Sequence, residues 1–284
     1  MNSDLPQLKM ESIEEAHGQS GGFPGQRLSR RRVLRTVLVI GTLLAAWEVV
    51  ARLNLVSQVF FPPPSTIWEA FVDVLKTGFY GSTLLGNLLA SVGRVALGFV
   101  AAVVVGIPLG LAMARNDAIY DIIDPILEFI RPVPPLAYIP LLVVWFGIGE
   151  LPKIILIALG TLPMVVFSAV GGVRGTPAER VSVARCFGAS QWQLFWHVYF
   201  RSALPEIFTG LRVGVGIAWS SLVAAELIAA RAGLGWMIEI AGRELEVAYI
   251  FIGIVLIGCL GYLMDLVVRV IEYLAVPWRA HSAM

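Results

Sequence analysis

The sequence predicts an all-α membrane protein with about six transmembrane helices. Three observations carry this prediction. Of 284 residues, 57% are hydrophobic and only 14% charged, whereas a soluble domain carries roughly 25% charged residues. Apolar runs close to the ~20 residues needed to cross a bilayer recur along the chain. Lys and Arg are shared unevenly among the segments that join those runs. The partner these runs demand is the lipid bilayer, and a formal net charge of +1 gives no electrostatic basis for nucleic acid.

The elements follow in order. Residues 1–30 are polar and aperiodic, and read as a disordered cytoplasmic tail. The basic stretch "RLSRRRVLR" then meets an apolar run from Val33 to about Val50. A secretory signal would place a short apolar core near the start, before a small-residue cleavage site. This run starts late and is long, so it is expected to be an uncleaved first span. The stretch "FPPPSTIWEAFVDVLKTG" follows. Thr66 and Glu69 have capping-box spacing and predict a helix start. Ile67, Trp68, Phe71, Val74 and Leu75 give that helix apolar surface, suited to the outer leaflet or to an external partner.

Five further spans are expected at about 86–113, 133–149, 152–173, 207–230 and 249–271. The third and fourth are joined only by "GIGELPK", which predicts a tight hairpin. The third is interrupted at "RPVPPLAYIP", where proline cannot continue a regular helix. Freed backbone groups are tolerated in a membrane only where protein or a cavity covers them. That places Pro134 and Pro135 in the interior, as candidates for a translocation pathway. The membrane domain is thus 31–276, and 277–284 is a short second tail.

Orientation follows from the basic residues. With the N-terminus inside, 15 Lys or Arg fall on the inner side, 5 on the outer side, and Arg94 is left within a span. Both termini are then cytoplasmic, and so is the loop between the fourth and fifth spans.

That loop, "TPAERVSVARCFGASQWQLFWHVYF", contains two helix starts. Thr176, Pro177 and Glu179 suggest a capping box with proline at the first helical position. Gly188 is a natural stop. Ser190 and Gln193 form a second box. Trp192, Phe195, Trp196 and Tyr199 fall on one face of the helix that follows. The first helix carries Val181, Ala184 and Phe187 on one side, and an isolated helix of three turns is marginal in water. It needs a surface to pack against, and a cytoplasmic protein is the natural candidate.

Other polar residues are weighed against structural roles. Glu226 lies in "SSLVAAELIAA" near the outer end of the fifth span. A charge in lipid is costly, so it should face the interior or water. It joins Ser220, Ser221 and Arg94 as candidates for the pathway, the alternative being pairing between helices. "GIPLG" and "GLRVG" have small-xxx-small spacing and predict close helix contact, within the chain or across a dimer. Cys186 and Cys259 lack paired spacing, and His17, His197 and His281 are scattered, so neither a disulfide framework nor a metal site is expected. No lysine follows glycine, so the chain has no phosphate-binding loop of its own.

The loop resembles a pattern found in the permease subunits of bacterial ATP-driven importers. That pattern reads Glu-Ala-Ala, three residues, Gly, nine residues, Ile, one residue, Leu-Pro. Aligned on Gly188, Ala184 and Gly188 match, while Ser182 and Arg201 stand at the Glu and Pro positions. The stretches "ALPEIFTGLRVGVGIAWSSLVAAELIAA" and "RPVPPLAYIPLLVVWFGIGE" resemble the taurine-transport permease branch, with nitrate, bicarbonate and alkanesulfonate permeases as near relatives. The similarity spans roughly residues 33 to 275. It implies a type I ABC importer transmembrane domain in the bacterial inner membrane, with the loop as a cytoplasmic coupling helix through Val181, Ala184, Arg185, Phe187, Gly188, Ala189 and Ser190. The implied partners are a second copy of the chain, two ATP-binding subunits that hold ATP and magnesium, and a substrate-binding protein outside. This chain would then hold no cofactor and perform no covalent chemistry. The alternatives are a membrane-embedded enzyme, which needs a nucleophile with a base or a metal cluster within the spans, and a secondary carrier, which needs no ATPase.

Overall fold

The computed structural model describes residues 30–53 and 57–278. The tail expected over residues 1–30 lies outside the described residues except at Arg30, and so do residues 279–284 of the second tail. The chain divides into two units, Met1–Leu43 with Pro277–Met284, and Leu44–Val276.

The first helix, α1, runs Arg30–Arg52 and crosses from one unit into the other. In the first unit, Leu34, Val37, Leu38 and Leu43 are all exposed, as a lipid-facing surface would be.

In the second unit, three long helices form the centre: α3 (Leu84–Arg115), α6 (Glu150–Arg174) and α8 (Phe200–Ala229). Between α1 and α3 lies α2 (Pro64–Thr77). Between α3 and α6 lie α4 (Asp117–Ile130), a 3-10 turn (Pro135–Tyr138) and α5 (Ile139–Phe146). The loop helix α7 (Ala178–Cys186) follows α6, and α9 (Leu234–Arg243) and α10 (Val247–Ala275) complete the order. Helix α6 packs between α3 and α8. Val95, Phe99, Ile157, Val165, Ile207, Leu211, Trp219 and Leu222 fill the shared core. A second core joins α2, α9, α10 and the start of α3 through Val74, Leu84, Met237, Ala241 and Ile252.

Small residues set these approaches. An added Cβ on Gly110 would stand 2.6 Å from the backbone oxygen of Val166, and one on Gly210 would overlap the Ser168 side chain. Gly106 and Gly214 likewise face Val165 and Thr161 of α6. Both small-xxx-small pairs are therefore used within the chain.

The structure differs from the sequence expectation at three places. The third span, expected over 133–149 with a break at the prolines, has that break but begins earlier: α4 and the segment Pro135–Phe146 make a pair bent by 95°, because Pro132, Pro134 and Pro135 interrupt the backbone ladder. At 14 and 8 residues, α4 and α5 extend only about 21 and 12 Å, so neither crosses ~30 Å of hydrocarbon alone. With five long apolar helices, the pair brings the candidate spans to six. Second, α2 starts at Pro64, two residues before Thr66, with no cap from its own N-terminal side chain. The Glu48 carboxylate of α1 accepts instead from the Ser65 amide at 3.1 Å and the Ser65 hydroxyl at 2.8 Å. Third, the Thr176 box is not formed. Pro177 takes the N-cap position in extended geometry, so Thr176 lies outside the helix.

Candidate functional site

Two groups of side chains stand out at opposite ends of α3. At one end, Asn87, Ser91 and Arg94 lie at i, i+4 and i+7 of α3, on one face, and all are buried. Facing them is Glu226 of α8, fully buried at 0% exposure. Arg94 Nη1 donates to Glu226 Oε1 at 2.6 Å and to the Ala232 carbonyl at 2.7 Å. Its Nη2 donates to Glu150 Oε1 at 2.9 Å, and Glu150 also accepts from Lys153 at 3.0 Å. Glu226 further accepts from the Ser91 hydroxyl at 2.8 Å and the Gly235 amide at 2.8 Å. Ser91 in turn accepts from the Leu234 amide, and Asn87 from the Gly233 amide.

The cluster thus pins the start of α9 to α3 and α8. It works only because Gly233 has φ +130 and no side chain; a Cβ there would sit 2.3 Å from the Glu226 carboxylate. A buried ion pair offsets its desolvation only when its remaining donors and acceptors are met, and here the Glu226 carboxylate has three donors from two elements, Ser91 and Arg94 of α3 and Gly235 of α9. Arg94 and Glu226 are therefore partners in one closed cluster. The sequence reading missed Glu150, Lys153, Asn87 and Ser91. The polar triplet 87–91–94 inside an apolar run was the available signal.

The other pathway candidates separate. Ser221 is buried and its hydroxyl has no partner among the described residues, and the same holds for Thr161. Pro135 comes close to the same place, since a Cβ on Gly160 would meet both Ser221 Oγ and Pro135 Cγ. Pro134 precedes the 3-10 turn as its N-cap. Ser220 is exposed and bonds back to the Gly216 carbonyl of its own helix.

At the other end, α7 stops in a Schellman motif. The Gly188 amide donates to the Arg185 carbonyl at 2.9 Å, and the Ala189 amide to the Ala184 carbonyl at 3.1 Å. Gly188 has φ +77, the left-handed region this stop requires. The next helix begins at the Ser190 box: the Gln193 amide donates to Ser190 Oγ, and the Ser190 amide to Gln193 Oε1 at 2.9 Å. From Gln191 the chain is helical without a break through a π stretch, Leu194–Tyr199, into α8. The corner and the central core are thus joined by continuous helix. Val181 is buried against the chain, while Phe187 is 88% exposed. They do not share a side: Val181 anchors α7 and Phe187 projects outward. The aromatic residues form a chain of ring contacts, Trp192–Trp196, Phe195–Trp196 and Trp196–Phe200, with centroids 5.2–5.5 Å apart.

Comparison with known proteins places this architecture. Residues 106–274 match the family described as the binding-protein-dependent transport system inner membrane component. The chain belongs to this family. It is a permease subunit of an ABC importer, as its relatives are named, and not itself an enzyme. The permease is 44% identical to the taurine transport system permease protein TauC of Escherichia coli, over 88% of this chain and 91% of that protein. It is 34% identical to the putative aliphatic sulfonates transport permease protein SsuC of Bacillus subtilis, over 97% and 95%. It is 32% identical to the nitrate import permease protein NrtB of Synechocystis, over 87% and 90%. Its fold is that of the inward-facing MetNI methionine ABC transporter, with a TM-score of 0.60 over 68% of this chain and 95% of that one, at 19% identity.

Proposed function

We propose that this permease imports a small organosulfonate, with taurine as the first candidate, across the bacterial inner membrane. In this reading two copies of the chain form the pathway and two separate ATPases bind ATP and magnesium. A binding protein delivers substrate from outside, and both termini are cytoplasmic. The observation that carries the coupling role is the exposed Phe187 on a short helix closed by the Gly188 corner, with the following helix continuous into α8. A large apolar side chain left open on a helix too short to persist alone is what a partner protein would cover. The ATPases close on ATP, the loops follow, and the spans exchange inward for outward access.

Taurine is supported by the greater identity to the taurine permease than to the aliphatic sulfonate and nitrate permeases. The inward side is supported by the surplus of Arg at the loop end: Arg115, Arg174, Arg180, Arg185 and Arg201. The test is uptake by proteoliposomes holding the permease, its ATPase and its binding protein. ATP-dependent accumulation of labelled taurine is expected, with nitrate and bicarbonate left behind. Accumulation of nitrate without taurine would overturn the substrate, and taurine accumulation without any ATPase would overturn the coupling.

A further inference from the structure

Beside the corner, between the ends of α3 and α6 and the loop helices, lies a cavity of about 550 Å³. Three arginines from three elements line it: Arg115 at the end of α3, Arg174 at the end of α6 and Arg185 in α7. Thr176, Ser182 and Gln191 add neutral hydrogen-bonding groups, and among the described residues no carboxylate lines it. The cations are far from neutralised. Arg185 has no ion pair among the described residues. Arg115 only stacks on Phe195, at 5.2 Å. Arg174 stacks on Tyr120 at 3.8 Å and reaches one oxygen of the exposed Asp117, at 3.6 Å. The Thr176 hydroxyl is buried with no partner among the described residues. Like charges lining one cavity repel unless an anion sits among them, and a buried hydroxyl left unmet is costly.

From this geometry we propose that the cavity binds a tetrahedral oxyanion, phosphate or sulfonate in chemistry. Guanidinium forks match the oxygens of such groups through paired hydrogen bonds. The volume exceeds that of a bare ion and accommodates a headgroup or a small organic anion. Two sources share this chemistry: the phosphate of an anionic lipid, suited to a basic pocket at a membrane face, and a soluble sulfonate or phosphate. An occupant bridging Arg115, Arg174 and Arg185 ties the loop helix to two central spans. Its effect on transport rests on the coupling reading of the loop; its binding does not.

The test uses the full chain in detergent, with two probes. Native mass spectrometry follows titration with phosphatidylglycerol, and thermal unfolding follows titration with inorganic sulfate. The variant is Arg115→Gln with Arg185→Gln, and the control is Arg243→Gln, whose guanidinium pairs with Glu239 away from the cavity. Saturable binding is expected in at least one arm, weakened about tenfold or more in the double variant, since each lost charge-assisted bond is worth at least that factor. The control should bind as wild type. Binding in the lipid arm alone assigns the headgroup, and binding in the sulfate arm alone assigns the soluble anion. No saturable binding in either arm, or equal binding by wild type and double variant, overturns the site. ATPase co-purification with the same wild-type sample is scored separately. Its failure would overturn the coupling reading and leave the anion site standing.

Discussion

At the scale of single residues, Gly188 and Glu226 make opposite predictions. Gly188 holds a left-handed conformation, and beyond its chain neighbours no described residue lies within 4 Å of where its Cβ would be. Gly188→Val costs about 1–2 kcal/mol in that conformation and disturbs only the loop. Normal membrane insertion and wild-type thermal unfolding of the core are expected, with ATPase co-purification and uptake both reduced. Full uptake would remove the loop from the coupling mechanism. Phe187→Ala should act on assembly alone, because the side chain is already exposed. Losing a buried Phe from the interface is worth about 1.5–3 kcal/mol, read as a weaker complex with unchanged unfolding of the isolated permease. Glu226 is the reverse case. A Gln there brings an amide donor into a pocket already filled by the Arg94, Ser91 and Gly235 donors. Glu226→Gln should cost the folded chain about 3 kcal/mol and lower its unfolding temperature in detergent. Arg94→Gln should recover part of that loss when combined with it. Additive losses would mean that the two do not act as a pair.

At the scale of elements, close packing of α6 between α3 and α8 is the feature most open to test. Gly110→Leu must drive α3 away from the Val166 backbone, at a cost of about 1–3 kcal/mol or more. Gly258→Leu in α10 has open space around it. Size-exclusion chromatography in detergent should show aggregation for the first and a monodisperse peak for the second, provided Gly258 faces lipid; aggregation of both would place a second chain against α10. Much of this level was legible in the sequence. The apolar runs located the long helices, and the Ser190–Gln193 spacing located a real capping box. What failed were the boundaries governed by proline and by distant partners. Pro177 moved the start of α7 past Thr176. The α2 start is met by Glu48, seventeen residues before Ser65, which no local pattern could reveal. The ion cluster was half visible for the same reason. Arg94 and Glu226 are conspicuous as charges in apolar runs, but Glu150 and Lys153 sit in an ordinary-looking connector and become partners only when α6 packs on α3.

At the scale of the whole molecule, the question is whether the bent pair α4–α5 carries the chain across the membrane. Ion pairs at the two ends of α6 decide the expectation. Glu150, at its start, is bound to Arg94, and Arg174, at its end, to Asp117. At 25 residues, α6 is about 37 Å long, enough to span the hydrocarbon. Asp117 and Glu150 therefore belong to opposite faces, and the chain between them must cross despite its 95° bend. Arg94 and Arg115 stand 21 residues apart on α3, about 31 Å, which separates the ion cluster from the loop in the same sense. Reporter fusions at positions 78, 118, 150, 190 and 240 should read outside, inside, outside, inside and outside. If 118 and 150 report the same side, α4–α5 is a re-entrant hairpin, and α6 could not then hold both of its ion pairs. If 190 reports outside, the loop faces away from every cytoplasmic ATPase, and the coupling role proposed for Phe187 and Gly188 fails with it.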